Sequence, residues 1–156
     1  STSVINDIST GIGDDVVRDV LITDIVNTGA GADTIYLSYT TLDPATDVSI
    51  DGGSEADAFD LVVYDLQPNI EVDFTQSRTM FVNFEGHNFT DNEKQTIILD
   101  SEDFITINAQ TLTIQGDSND EISLPEDALQ TSSDDLYLYY TLSDVEVAIS
   151  VDLLLV

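Results

Sequence analysis

Four short stretches bring glycine and aspartate together in a way that could hold a divalent cation. The clearest is Gly29-Ala30-Gly31-Ala32-Asp33-Thr34-Ile35. Its glycines allow a tight turn with exposed carbonyl oxygens, and Asp33 sets a carboxylate just before a strand whose Ile35 faces inward. An earlier copy, Gly11-Ile12-Gly13-Asp14-Asp15-Val16-Val17, lies 18 residues upstream, which is two nonapeptide lengths. A third, Asp51-Gly52-Gly53-Ser54-Glu55-Ala56-Asp57-Ala58-Phe59-Asp60, keeps the paired glycines and has Glu55 where another turn glycine is expected. The fourth, Gly116-Asp117-Ser118-Asn119-Asp120-Glu121-Ile122, keeps one glycine and gains carboxylates. The candidate metal-binding residues are therefore Asp14, Asp15, Gly29, Gly31, Asp33, Asp51, Gly53, Glu55, Asp57, Asp60, Asp117 and Asp120. Hard oxygen donors in turns suit calcium, which takes about six to eight of them. Ordinary β-turns also favour Gly and Asp for backbone reasons, so it is the recurrence that carries the reading.

Charge points the same way. The 156 residues contain 31 Asp plus Glu against 3 Lys plus Arg, a formal charge of -28. Only Arg18, Arg78 and Lys94 can pair with so many acids. Self-repulsion of this size destabilises a compact state unless cations offset it. The expectation is several bound Ca2+ ions. A salt-adapted surface would also be acidic, but its carboxylates would be scattered over the exterior and not gathered with glycines in turns. No basic face exists for nucleic acid, and no apolar run approaches the roughly 18 residues of a spanning helix. Cysteine is absent and His87 is the only histidine, which excludes disulfides, thiolate sites and a zinc site with two histidines. His87 reads as a loop residue. No EF-hand loop is present. Paired acids for glycoside cleavage could be drawn from so many carboxylates, yet tryptophan is missing and no serine has a base-bearing context. An enzyme is not expected.

The elements that must position these turns are strands. Val16–Ile25, Ile35–Tyr39, Leu61–Tyr64, Ile70–Phe74, Met80–Phe84, Thr96–Leu99, Thr111–Ile114 and Ile122–Leu124 are apolar or β-branched runs bounded by turn residues. Leu136–Leu142 should turn at Ser143-Asp144 into Val145–Leu155, where Val145, Val147, Ile149 and Val151 alternate with Glu146, Ala148, Ser150 and Asp152. The same alternation puts Tyr137 and Tyr139 on one face and Tyr140 on the other. Single helical turns are expected at Pro125–Leu129 and Asp100–Phe104. With only 8 glycines, a regular solenoid is not expected. The fold class is all-β, an elongated β-sandwich of short strands with partial β-roll character, in one domain over residues 1–156. No signal peptide or tag is seen at the start, as in an internal or excised domain.

The order Asp51-Gly52-Gly53 through Asp57 and Leu61, then Val82-Asn83-Phe84-Glu85, then Thr111-Leu112-Thr113-Ile114-Gln115-Gly116-Asp117, Asp120 and Ile122, resembles the ordered modules of large secreted RTX-type bacterial adhesins. The resemblance spans about Ile50 to Leu124. It implies export in an unfolded state, folding outside the cell on calcium, and residence at the bacterial surface near a ligand-binding tip. By position, it puts metal-binding turns on Asp33, Asp51, Asp57, Asp60, Asp117 and Asp120. The expected function is calcium-dependent binding of a peptide or glycan by a monomeric module of a longer chain, without membrane insertion. The alternative is a calcium-stiffened spacer with no ligand of its own.

Overall fold

The structure, a computed structural model, describes residues 6–21, 24–39, 49–53, 59–74, 81–99, 111–142 and 145–156. Strands form three sheets, and no helix occurs among the described residues. The first sheet holds β1 (Asp7–Ile12), β3 (Ile25–Ala30), β5 (Ser49–Asp51) and β8 (Phe81–Val82). The second holds, from one edge, β2 (Val16–Val20), β4 (Thr34–Tyr39), β6 (Leu61–Leu66), β9 (Gly86–Asn88) and β11 (Thr111–Gln115). It continues with β15 (Val145–Ser150), β14 (Tyr137–Leu142) and β13 (Leu129–Ser133). The third holds β7 (Ile70–Asp73), β10 (Gln95–Ile98), β12 (Glu121–Ser123) and β16 (Leu154–Leu155).

The protein is all-β, as expected, with its sheets sharing one core. Val26, Ile50 and Phe81 enter that core from the first sheet, Ile35, Val62 and Ile114 from the second, and Val72, Ile97 and Ile122 from the third. The roll component of the expectation extends further than the glycine count suggested. All pairings are parallel except those of β14 with β13 and β15, so successive passes of the chain stack as coils. The ladder aligns Val17, Ile35, Val62 and His87, all pointing inward. Period-2 alternation fixes this register, because a one-residue slip would turn Ile35 and Leu37 of β4 out to solvent. Early coils are two-sided, passing only between the first and second sheets. From β7 onward a third side is added, and along the acid row the repeat is 18 residues at Asp15–Asp33, 27 at Asp33–Asp60 and 25 at Asp60–Glu85.

Several local expectations change. The Val16–Ile25 run is two strands, broken by a corner at Asp24. The buried carboxylate of Asp24 accepts N–H bonds from Leu21 (2.9 Å) and Asn6 (3.1 Å). Two backbone donors outweigh the strand preference of the flanking β-branched residues. β1, β3, β5, β9 and β13 were not expected, since their glycine or polar content reads as turn. His87 lies in β9 and is buried, not in a loop. The C-terminal hairpin is present as β14 and β15, while its Ser143-Asp144 tip lies outside the described residues. Val151 is exposed, because the chain leaves β15 at Ser150. Pro125–Leu129 forms a turn closed by Ala128 N–H donating to Pro125 O (3.0 Å), and Asp100–Phe104 is outside the described residues.

Candidate functional site

The first two Gly-Asp turns stack directly. Gly11 faces Gly29 in the parallel ladder, and Thr10 Oγ1 donates to Thr28 O across it (2.7 Å). Gly29 has φ +98°, and a side chain there would overlap the carbonyl oxygen of Gly11. Only glycine satisfies both the backbone conformation and this closeness. Gly53 repeats the relation with Gly29, and Gly31 with Gly13. The sequence thus specifies glycine columns that let neighbouring turns touch backbone to backbone.

Just after these columns runs a row of acids. Asp15 N–H donates to Asp33 Oδ1 (2.8 Å), Asp33 N–H to Asp60 Oδ1 (2.7 Å), and Asp60 N–H to Glu85 Oε2 (2.7 Å). Each coil therefore offers its amide to the carboxylate of the next. Asp33 and Asp60 are buried. Oδ2 of Asp15 and Oδ2 of Asp33 are both buried with no hydrogen-bond partner. A buried, unpartnered carboxylate oxygen is costly in a low-dielectric interior. Asp60 shows the strain of the arrangement: burial pushes its carboxyl up to about 6, against the opposing N–H bond from Asp33, with further upward pushes from Glu85, Asp33 and Asp51. Burial also raises Glu85.

The remaining candidates divide. Asp51 lies at the end of β5, where Oδ1 accepts from Gly53 N–H (2.9 Å) and Asn83 Nδ2 (2.7 Å). Asp14 is exposed and accepts from Ala32 N–H (3.0 Å). Glu55 and Asp57 lie outside the described residues. Asp117 and Asp120 belong to another corner, between β11 and β12, away from the acid row. There Asp120 accepts from Gln95 N–H and Asp117 N–H (both 2.9 Å), and Asp117 accepts from Asn92 N–H (3.0 Å) and Asn119 N–H (2.8 Å). Those carboxylates act as corner braces. Burial raises Asp120. Glu85 is the member of the row that sequence reasoning missed. It replaces aspartate without any glycine nearby upstream, and only coil alignment reveals it.

The row fits a hard cation in its donor chemistry. Among the described residues no three acidic or histidine side chains converge as a ready ion site. An ion bound at Asp15 and Asp33 would complete its shell with backbone carbonyls and water, both usual calcium ligands.

A second feature lies at the other end of the second sheet. Asn88, Thr90, Gln115, Tyr137, Asp135 and Asp152 line an open groove of about 340 Å³. Gln115 Nε2 donates to Tyr137 Oη (2.9 Å), and Tyr137 and Tyr139 lie 6.3 Å apart, ring to ring, on one face as expected. Tyr140 is buried on the opposite face. Tyr139 Oη and the Leu136 and Tyr137 amides all bind Asp134, holding that carboxyl below its usual range. No family model, curated protein or solved structure matches the chain.

Proposed function

We propose that the chain is a calcium-dependent ligand-binding module of a secreted, RTX-type bacterial surface adhesin. The observation that carries the reading is the pair of orphaned oxygens, Asp15 Oδ2 and Asp33 Oδ2, buried in stacked Gly-x-Gly-x-Asp turns. A cation there gives these oxygens a partner and neutralises a row of like charges. Asp15 and Asp33 would hold it, with carbonyls of the glycine turns beside them and Asp60 next along the row. The formal charge of -28 supports several such ions.

The ligand half of the proposal rests on the tyrosine-lined groove. Its lining has amide, hydroxyl and carboxylate groups and one aromatic face, with no basic residue. That chemistry favours a neutral glycan over an acidic peptide. The spacer reading keeps one observation in its favour, the edge strands β1 and β2 at the opposite end, which pair with no further strand among the described residues.

The test is a melting curve in millimolar calcium and in chelator, followed by a glycan and peptide array in both. Calcium should raise the melting temperature by more than about 10 °C, as when several ions bind only the folded state. Asp33→Ala should remove most of that gain, and Asp152→Ala should leave it intact. Glycan binding should vanish in chelator and in Tyr137→Ala. An unchanged melt in calcium, with a rise in sodium chloride, overturns the calcium reading. A blank array with a calcium-raised melt selects the spacer.

A further inference from the structure

We infer that the β1–β2 end of the molecule is a docking surface for one more parallel coil of the Gly-x-Gly-x-Asp kind, carried in cis on the N-terminal side of Asn6. The inference does not depend on calcium. It follows from what each coil presents to the coil before it.

Three relations repeat through the early coils, and coil one has its half of each unmet. The first concerns the glycine columns. Side chains at Gly29 and Gly53 would strike the carbonyls of Gly11 and Gly29, so the bare face of each glycine looks toward the preceding coil. Gly11 (φ +117°) and Gly13 (φ +108°) have the same left-handed backbone, yet among the described residues nothing lies within 4 Å of the equivalent position. They have the bare faces of interior coils, with no described coil against them. The second concerns the acid row. Asp33, Asp60 and Glu85 each receive an N–H bond from the coil before. Asp15 occupies the same place, and among the described residues no amide reaches its carboxylate.

The third relation is the ladder itself. β1 and β2 are edge strands of their sheets, and β1 pairs with β3 in unbroken parallel register from Asp7 to Ile12. Ile12 is 93% exposed and Val16 59%, large apolar side chains at an open edge. Natural edges of this kind are normally blunted or covered. The opposite edge shows such blunting: β13 is antiparallel, bulged between Gln130 and Ser132, and almost wholly polar.

The path of the chain names the source of the missing coil. Asn6 stands 18 residues before Asp24, and its N–H and Nδ2 both bind the Asp24 carboxylate, so the two residues mark the same corner in successive coils. The chain reaches Asp24 along β2. One further step of the same repeat places the added coil against β1 and β2, which are edge strands among the described residues.

The test duplicates residues 7–24 in tandem ahead of Asp7 and compares this chain with the parent and with a version whose extra 18 residues are shuffled. The native-order copy should raise the melting temperature by at least about 5 °C, as added nearest-neighbour contacts do in stacked repeats. It should also slow amide exchange across β1 and β2. In the parent, Gly11→Ala should cost less than Gly29→Ala, because only the latter overlaps a neighbouring carbonyl. In the duplicated chain the two costs should become equal. No rise, an equal rise with the shuffled copy, a misfolded chain, or an unchanged Gly11→Ala cost would each overturn the inference. So would concentration-dependent dimers of the parent that the duplication abolishes, since the occupant would then be a second copy. Each comparison is run in calcium and in chelator, so a failed calcium response in the parent is seen separately from a failed stacking response.

Discussion

The coils that carry β1 to β4 and those that carry β6 to β12 share the parallel stacking but differ at their turns. The early turns are short, rich in glycine and built around carboxylates. Their repeat is 18 residues, and only two sheets are visited. The later coils lack the glycine columns, reach a third sheet, and fill the wider interior with aromatic rings. Tyr64 stacks on Phe89 with ring centres 4.1 Å apart, and Phe74 and Phe81 meet His87 edge to face at 5.0 and 5.4 Å. A narrow coil has little room for apolar volume, so its cohesion must come from the turns. A wide coil encloses a core and can do without them. The difference teaches that one ladder can be held by two kinds of chemistry, one of stacked glycine turns and carboxylate–amide bonds and the other of aromatic burial.

The largest expected effect separates the halves outright. Chelation should collapse amide-exchange protection in β1 to β4 while β11, β14 and β15 keep theirs, since local stability follows local contacts. Exchange measured by mass spectrometry in calcium and in chelator would resolve it. Uniform loss across all strands would mean the two regions unfold as one unit, and the comparison would fall.

Acid should strike the later coils next. His87 is buried, with Nδ1 2.9 Å from Tyr64 Oη, and the groups facing it are Tyr64, Phe74 and Phe81, with no carboxylate among them. Burial pushes its imidazole down to about 3. The folded state therefore refuses a proton that the unfolded chain accepts near pH 6.5. The contribution of His87 is complete above pH 6.5 and is lost as pH drops toward 3, costing about 3 kcal/mol at pH 4.5. His87→Phe should fit the aromatic cluster and flatten the acid limb of the melting profile in chelator. An unaltered limb in that variant would place the acid sensitivity elsewhere.

How much of this was legible beforehand follows the same division. Period-2 alternation exposed β4, β6, β11 and β15, because each buries one face in a common core. The glycine and aspartate of the first two turns were legible because backbone closeness demands specific residue types. Glu85 and His87 were not, since neither sits in a motif. Their positions are set by alignment with Asp60 and Val62 one coil earlier, and a repeat that changes from 18 to 27 to 25 residues hides that alignment. The fourth turn shares the composition of the early turns but not their place: Asp117 and Asp120 lie between β11 and β12, off the row that runs from Asp15 to Glu85, and their carboxylates accept amides of that corner.

The smallest expected effect sits at the boundary, on Asp60. Its carboxyl, raised to about 6 by burial and its acidic neighbours, holds a proton more tightly folded than unfolded. It therefore adds stability below about pH 3.8, and that contribution is lost as pH rises through 6. At neutral pH without a cation, Asp60 is a charge the fold would shed. Asp60→Asn keeps an oxygen to accept the Asp33 N–H bond, now 2.7 Å, and removes the charge. In chelator at pH 7.5 the variant should melt a few degrees above the parent. In excess calcium the order should reverse, because a neutral amide binds the ion less well than a carboxylate. A variant that is less stable under both conditions would show Asp60 to be a corner brace like Asp120, and the ion-dependent region would then end at Asp33.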